Sequence, residues 1–154
     1  MISVEELTKV ILSCRTDISN KKLQKLAYYV YAWYLTIYGL QIADLTFEAW
    51  EHGPVSRTIY NRYRQYGWSV IPQYVGFVLV PNDKIKFIKG VIKYYGKFDA
   101  DTLEKMTHNE MPWINARKGY SPHEASDAVI LPKDMVEYYS QQKEILSIIS
   151  DEIR

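Results

Sequence analysis

The chain has 154 residues, the size of one domain that builds its own core without disulfides or metal. Hydrophobic residues make up 47% and charged residues 24%, which excludes a disordered chain. A net charge of +1 excludes a nucleic-acid binder that works through bulk positive charge, although it leaves room for a local basic face.

The first helix is announced by Ser3-Val4-Glu5-Glu6. This is a capping box, in which Ser3 accepts from the Glu6 amide and Glu6 reaches back. Leu7, Val10, Ile11 and Cys14 follow at helical spacing. A second helix is expected from a Ser19 or Asn20 cap to Gly39, a left-handed stop. Its apolar positions are Leu23, Leu26, Ala27, Val30, Trp33, Tyr34 and Ile37, and Tyr28, Tyr29, Tyr31 and Tyr38 fill the other faces. A helix with large side chains around most of its circumference belongs at the centre of a fold.

Alternation through Phe47, Ala49 and Glu51 predicts a short strand. Pro54 fits the first turn of a third helix, carrying Val55, Ile59, Tyr63 and Tyr66 and ending at Gly67. The β-branched stretch 70–80 predicts one or two strands paired with residues 45–51. From Asn82 the helical period returns. Ile85, Ile88, Val91, Ile92 and Tyr95 share one face, and Lys86, Lys89, Lys93 and Lys97 share another. Asp101-Thr102-Leu103-Glu104 reads as a cap for a helix through His108, and Pro112 restarts the chain before Trp113, Ile114 and Arg117. Leu131-Pro132 opens a C-terminal helix over 131–154, with Met135, Tyr139, Leu146 and Ile149 on overlapping faces. The expected fold is mainly α: a single compact domain of about six helices with a small two- or three-stranded β-sheet.

Candidate chemistry is sparse. Cys14, the one cysteine, sits on an apolar face, fits a reducing compartment and removes every zinc site that needs two thiolates. Glu48 and His52 are four apart, but Gly53-Pro54 interrupts any helix that would align them. His108-Asn109-Glu110 has the His-x-Glu spacing of zinc deaminases without their downstream cysteine pair. His123-Glu124 falls in a loop. There is no nucleophile elbow and no phosphate loop. No catalytic residue, metal or cofactor is therefore expected. The four-lysine stripe reads as a solvated face, Lys21, Lys22 and Lys25 form a second basic cluster, and nucleic acid is not an expected partner. No apolar run is long enough to cross a membrane. The first residues lack the pattern of a signal peptide, so the expected location is the cytoplasm. Tyrosine and tryptophan, 14 and 4 against 4 Phe, suit half-buried faces and contact surfaces.

Three stretches resemble one family. Asn20-Lys21-Lys22-Leu23-Gln24-Lys25-Leu26-Ala27-Tyr28-Tyr29 is similar to the opening helix of the Panacea domain, the SocA-like antitoxin family that includes phage-associated GepA-like proteins. Phe47-Glu48-Ala49-Trp50-Glu51-His52-Gly53-Pro54-Val55, with Tyr60, resembles its second motif. Leu103 to His108, then Pro112-Trp113 and Ala116-Arg117, resembles its third. Order and spacing agree over residues 20–117. The resemblance implies an antitoxin that restrains a protein toxin from the same operon by direct contact, or an adaptor that delivers the toxin to an ATP-dependent protease. A small hydrolase or nucleic-acid-processing enzyme using His108 and Glu48 is the reading from a different class. The motif residues Glu48, Trp50, His52, Gly53, Pro54, Tyr60, His108, Pro112, Trp113 and Arg117 are expected either to scaffold the fold or to bind the partner. In the second case Trp50, His52, His108, Trp113 and Arg117 would line one pocket.

Overall fold

A computed structural model describes residues 1–154. Its axis is helix α2 (Asn20–Tyr38), capped by the Ser19 hydroxyl, which accepts from the Lys22 amide at 3.3 Å, and closed by Gly39 at φ 69°. Every side chain from Lys22 to Tyr34 is buried. Around it pack α1 (Val4–Ser13), α3 (Arg57–Tyr63), α4 (Asn82–Tyr95), α5 (Ala100–His108) and α7 (Pro132–Tyr139). Short α6 (Met111–Ala116) packs on α7, and α8 (Lys143–Glu152) packs on α4. One apolar cluster of 33 buried residues joins them. No helix is long and apolar enough to cross a membrane.

The fold is mainly α with a small sheet, as expected, but the helices number eight. The single helix expected over 131–154 is two. α7 turns Met135 and Tyr139 toward α2 and α6, whereas α8 buries Ile149 against α4. Gly90 permits that second contact, since a Cβ there would meet the Glu152 Cβ at 3.0 Å. Two different partners need two axes, and the chain bends between them at residues 140–142.

Pro54 is not in a helix. It lies in β2 (Gly53–Val55), antiparallel to β1 (Glu48–Trp50) and opposite Ala49. The Ser56 hydroxyl then caps α3 by accepting from the Ile59 amide at 3.3 Å. Nor do residues 70–80 form a strand beside 45–51. They run extended along α1, with the Ile71 amide on the Ile18 carbonyl at 2.8 Å and the Tyr74 amide on the Leu12 carbonyl at 3.2 Å. The stretch that does lie against β1 is 128–130, through Ala49 N–H to Ala128 O and Ile130 N–H to Phe47 O, both 2.8 Å.

Two caps also differ. Glu6 does not reach back to Ser3; its carboxylate accepts from the Leu79 amide at 2.9 Å and ties down the extended segment. The cap of α5 is Asp99, accepting from the Thr102 amide at 2.8 Å, rather than Asp101. Cys14 is half-buried, its thiol donating to Val10 O at 3.2 Å. The lysine stripe on α4 is exposed but partly answered. Lys93 meets Glu152 at 3.0 Å, and Lys86 meets the terminal Arg154 oxygen.

Behind α2 lies a tyrosine cluster. Tyr29 stacks on Tyr95 with centroids 3.9 Å apart, and Trp33 Nε1 donates to the Tyr95 hydroxyl at 2.8 Å. Buried hydroxyls need acceptors, and Glu110 is one. Its Oε1 accepts from Tyr29 at 2.9 Å and from Tyr139 at 2.8 Å. Burial raises the Glu110 carboxyl from 4.5 to about 7, although both hydroxyls pull it back. Between these values the folded chain holds a proton that the unfolded chain has lost. The stabilisation from this group is thus complete below about pH 4.5 and is lost as pH rises through about 7. Denaturant melts across pH 5–7 should show stability falling by up to about 1.4 kcal/mol per pH unit from this source. In Glu110→Gln that slope should flatten.

Candidate functional site

The second motif stretch folds as a hairpin whose two-residue turn is Glu51-His52. Gly53 follows at φ +110°, a conformation that side chains rarely adopt. Its bare face is also needed: a Cβ there would stand 2.5 Å from Lys25 Cε and 3.1 Å from Thr107 Oγ1. The first motif stretch thus lies directly beneath the second. Gln24 completes that joint, its amide group donating to Ser56 O at 3.0 Å and its carbonyl accepting from Ser56 N–H at 2.9 Å.

The third stretch grips the hairpin from its own side. Trp113 Nε1 donates to Trp50 O at 3.0 Å. Pro112 is buried in the first turn of α6. Arg117 is buried and donates to Ala49 O at 3.0 Å, Ser121 O at 2.9 Å and Glu124 O at 2.7 Å. One guanidinium therefore fastens β1 to the loop that leads to residues 128–130. The His108 ring stacks on Trp113 at 4.0 Å.

On the outer face the hairpin opens a cleft of about 650 Å³ between Trp50, His52, Arg57 and the 125–127 loop. A second hollow of about 280 Å³ shares Trp50, His52 and Val55 and continues to Tyr60 and Trp68, with Lys25 in its lining. Trp50 and Tyr60 meet at 5.4 Å, and the Arg57 guanidinium lies 5.5 Å above the Trp50 ring. Glu48 accepts from Arg57 Nε at 2.9 Å and from Trp50 Nε1 at 2.9 Å. Burial pushes the Glu48 carboxyl up, but these donors outweigh it and hold it below its ordinary value.

The expected five-residue pocket does not form. Trp50 and His52 line the clefts; His108, Trp113 and Arg117 are absent from both linings, Trp113 and Arg117 holding backbone and His108 stacking on Trp113. Nor do Glu48, His52 and His108 converge. Glu48 is committed to Arg57 and Trp50, and His52 lies 3.3 Å from Glu104. No three His, Cys, Asp or Glu side chains gather where a metal would fit.

Sequence reasoning missed the centre of charge here. Lys21 Nζ lies 2.8 Å from Asp101 and 2.6 Å from Glu104. Lys22 is buried, donating to Gly96 O at 2.7 Å and Asp17 at 3.1 Å. Lys25 is buried beside Gly53. Burial pushes the Glu104 carboxyl up, but Lys21 and His52 hold it below its usual value. Burial lowers His108, with Glu104 opposing and Lys25 and His52 adding to the shift. The signal for this is in the sequence: Lys22 and Lys25 fall within a helix that carries large side chains around most of its circumference.

The profile of one family, Antitoxin SocA-like, Panacea domain, matches residues 23–114. The chain belongs to this family. Neither a curated protein nor a solved structure matches it. The matched span runs from the buried α2 residues through the hairpin to Trp113 and Ile114, so it holds nearly all of the three-way joint. Arg117 lies three residues beyond it.

Two substitutions test the joint of this Panacea domain. Gly53→Ala should lower stability by about 1–3 kcal/mol through backbone strain, and by more if Lys25 fails to move aside. Arg117→Lys should cost about 2 kcal/mol or more, because an ammonium does not span the Ala49, Ser121 and Glu124 carbonyls that the guanidinium fork reaches together. Thermal and urea melts read both.

Proposed function

We propose that this protein is an antitoxin that neutralises a cognate protein toxin by stable direct contact in the cytoplasm, the toxin being encoded in the same operon. Membership of the SocA-like antitoxin family supports the toxin-antitoxin role. The observation that carries the contact reading is the surface around the extended segment. Trp68 is 94% exposed, Val75 84%, Phe77 77% and Leu79 73%. Four large apolar side chains within twelve residues are more than scattered surface hydrophobics, and contiguous apolar surface marks interaction sites. Trp68 lies in a turn, whereas Val75, Phe77 and Leu79 lie on an extended segment that carries no strand partner along 75–78. A protein surface can therefore cover the side chains and pair the main chain together. Trp68 also walls the smaller hollow.

Rescue of growth and co-purification should be measured together in cells lacking ATP-dependent proteases. Rescue with a stable complex in that background is the expected result. Rescue that disappears with the protease would turn the reading to an adaptor. Absence of both rescue and complex with any operon neighbour would end it. The strip has its own test. Val75→Asp and Phe77→Asp should leave the melt within about 0.5 kcal/mol, as exposed substitutions do. If they are central contacts they should weaken toxin binding by about 2 kcal/mol or more each.

A further inference from the structure

Lys25 is 1% exposed, yet the one hydrogen-bond acceptor its amine finds is Pro54 O at 3.5 Å, the outer edge of a hydrogen bond. An ammonium has three donors. Glu104, the nearest negative charge to act on it, is already engaged by Lys21 at 2.6 Å and His52 at 3.3 Å. Burial, with Lys21 adding to it, pushes Lys25 down to about 7, against the pull of Glu104. A methionine would fill the same space without burying an under-bonded amine. The packing of α2 therefore does not require an amine here.

The Lys25 side chain reaches the wall of a hollow. Lys25 lines the hollow of about 280 Å³ whose walls are Trp50, Val55, Tyr60 and Trp68. We propose that this hollow is a binding site for a carboxylate on a short apolar or aromatic stem, with the stem held between the aromatic walls and the carboxylate accepting from Lys25 Nζ. Its size is just under that of pockets for drug-sized ligands, about 300–1,000 Å³, and suits an amino-acid-sized group. The charge count selects a carboxylate. Lys21 and His52 already face Glu104 and Asp101, so one cation is left to answer one negative charge, and a phosphate dianion would stay half unpaired. No covalent step is involved. As the anion enters, the neutral amine takes one proton from solvent, and the ion pair forms where water is scarce and charge-assisted hydrogen bonds are strong. The groups that bias this proton are Lys21 and Glu104, and His108 is close enough to feel it. The carboxylate can come from a free small acid or from an acidic residue of a partner protein.

The protein with carbon-13-labelled lysine should be titrated with benzoate and with N-acetylglutamate whose α-carboxyl is blocked as the methylamide, both monoanions, at pH 8, the Lys25 signal being assigned by its loss in Lys25→Met. The expected result is a saturable shift of that signal toward the protonated form. The heat of binding should depend on the buffer in proportion to proton uptake. Lys25→Met should keep a melt at or above wild type and bind the probe about tenfold or more weakly. Trp68→Ala, on an exposed wall, should weaken benzoate without moving the melt. A Lys25 signal unmoved by both probes overturns the proposal, as does wild-type affinity in Lys25→Met. Competition of benzoate with a purified toxin complex assigns the carboxylate to the toxin; equal benzoate binding in its presence assigns it to a free acid. The titration needs no toxin, so its failure is distinct from failure of the antitoxin reading.

Discussion

Thirteen consecutive buried side chains on α2, Lys22 to Tyr34, include eight that carry polar groups, and six of these, Lys22, Gln24, Lys25, Tyr28, Tyr29 and Trp33, meet polar atoms of distant segments. Each draws a distant segment to it. Lys22 takes Gly96 O and Asp17. Gln24 takes both backbone groups of Ser56. Lys25 lies under Gly53 and Pro54. Tyr29 takes Glu110, and Trp33 takes the Tyr95 hydroxyl. Because an unpaired buried polar group costs about 1–3 kcal/mol, these pairings restrict which segments can occupy which side of the helix. Apolar packing supplies the driving force, and the polar pairs select the arrangement.

The family signature acquires a physical meaning in this arrangement. Its three stretches are far apart in the chain and meet at one hairpin. α2 supports the turn from below, while Trp113 and Arg117 hold the β1 carbonyls. Arg117 carries the same grip onward to the 121–124 loop and so to residues 128–130, which complete the sheet edge. The rigid side of the hairpin is therefore inside. The outer side carries the clefts, His52, Tyr60 and Trp68. Such a division lets an interaction surface be presented by loops on a scaffold that does not depend on them.

The abundance of tyrosine takes on a different meaning for the same reason. Tyr28, Tyr29, Tyr31, Tyr34, Tyr95 and Tyr139 are core residues. They bury large rings, and the hydroxyls of Tyr28, Tyr29 and Tyr139 meet one another or Glu110, while that of Tyr95 accepts from Trp33. Trp68, Val75, Phe77 and Leu79 are among the large apolar groups most open to solvent.

Most helices were legible in the sequence, because helix formation answers to neighbours three and four residues away. Ser3, Ser19 and Gly39 mark ends where the sequence puts them, and the centrality of α2 follows from its own composition. The three motif stretches likewise identify the family without coordinates. What the tertiary structure alone decided concerns partners distant in the chain. Residues 70–80 have the composition of a strand, but Glu6, Leu12 and Ile18 hold them along α1, and 128–130 take the edge of β1. Pro54 is compatible with a helix start and with a strand, and pairing with Ala49 selects the strand. The C-terminal period runs through residues 140–142, yet α7 and α8 face different helices and separate there. Lys22 and Lys25 look like surface charge in sequence. Whether a lysine is solvated or buried depends on what covers it, and here the covers are Gly96 and Gly53, seventy-four and twenty-eight residues further along the chain.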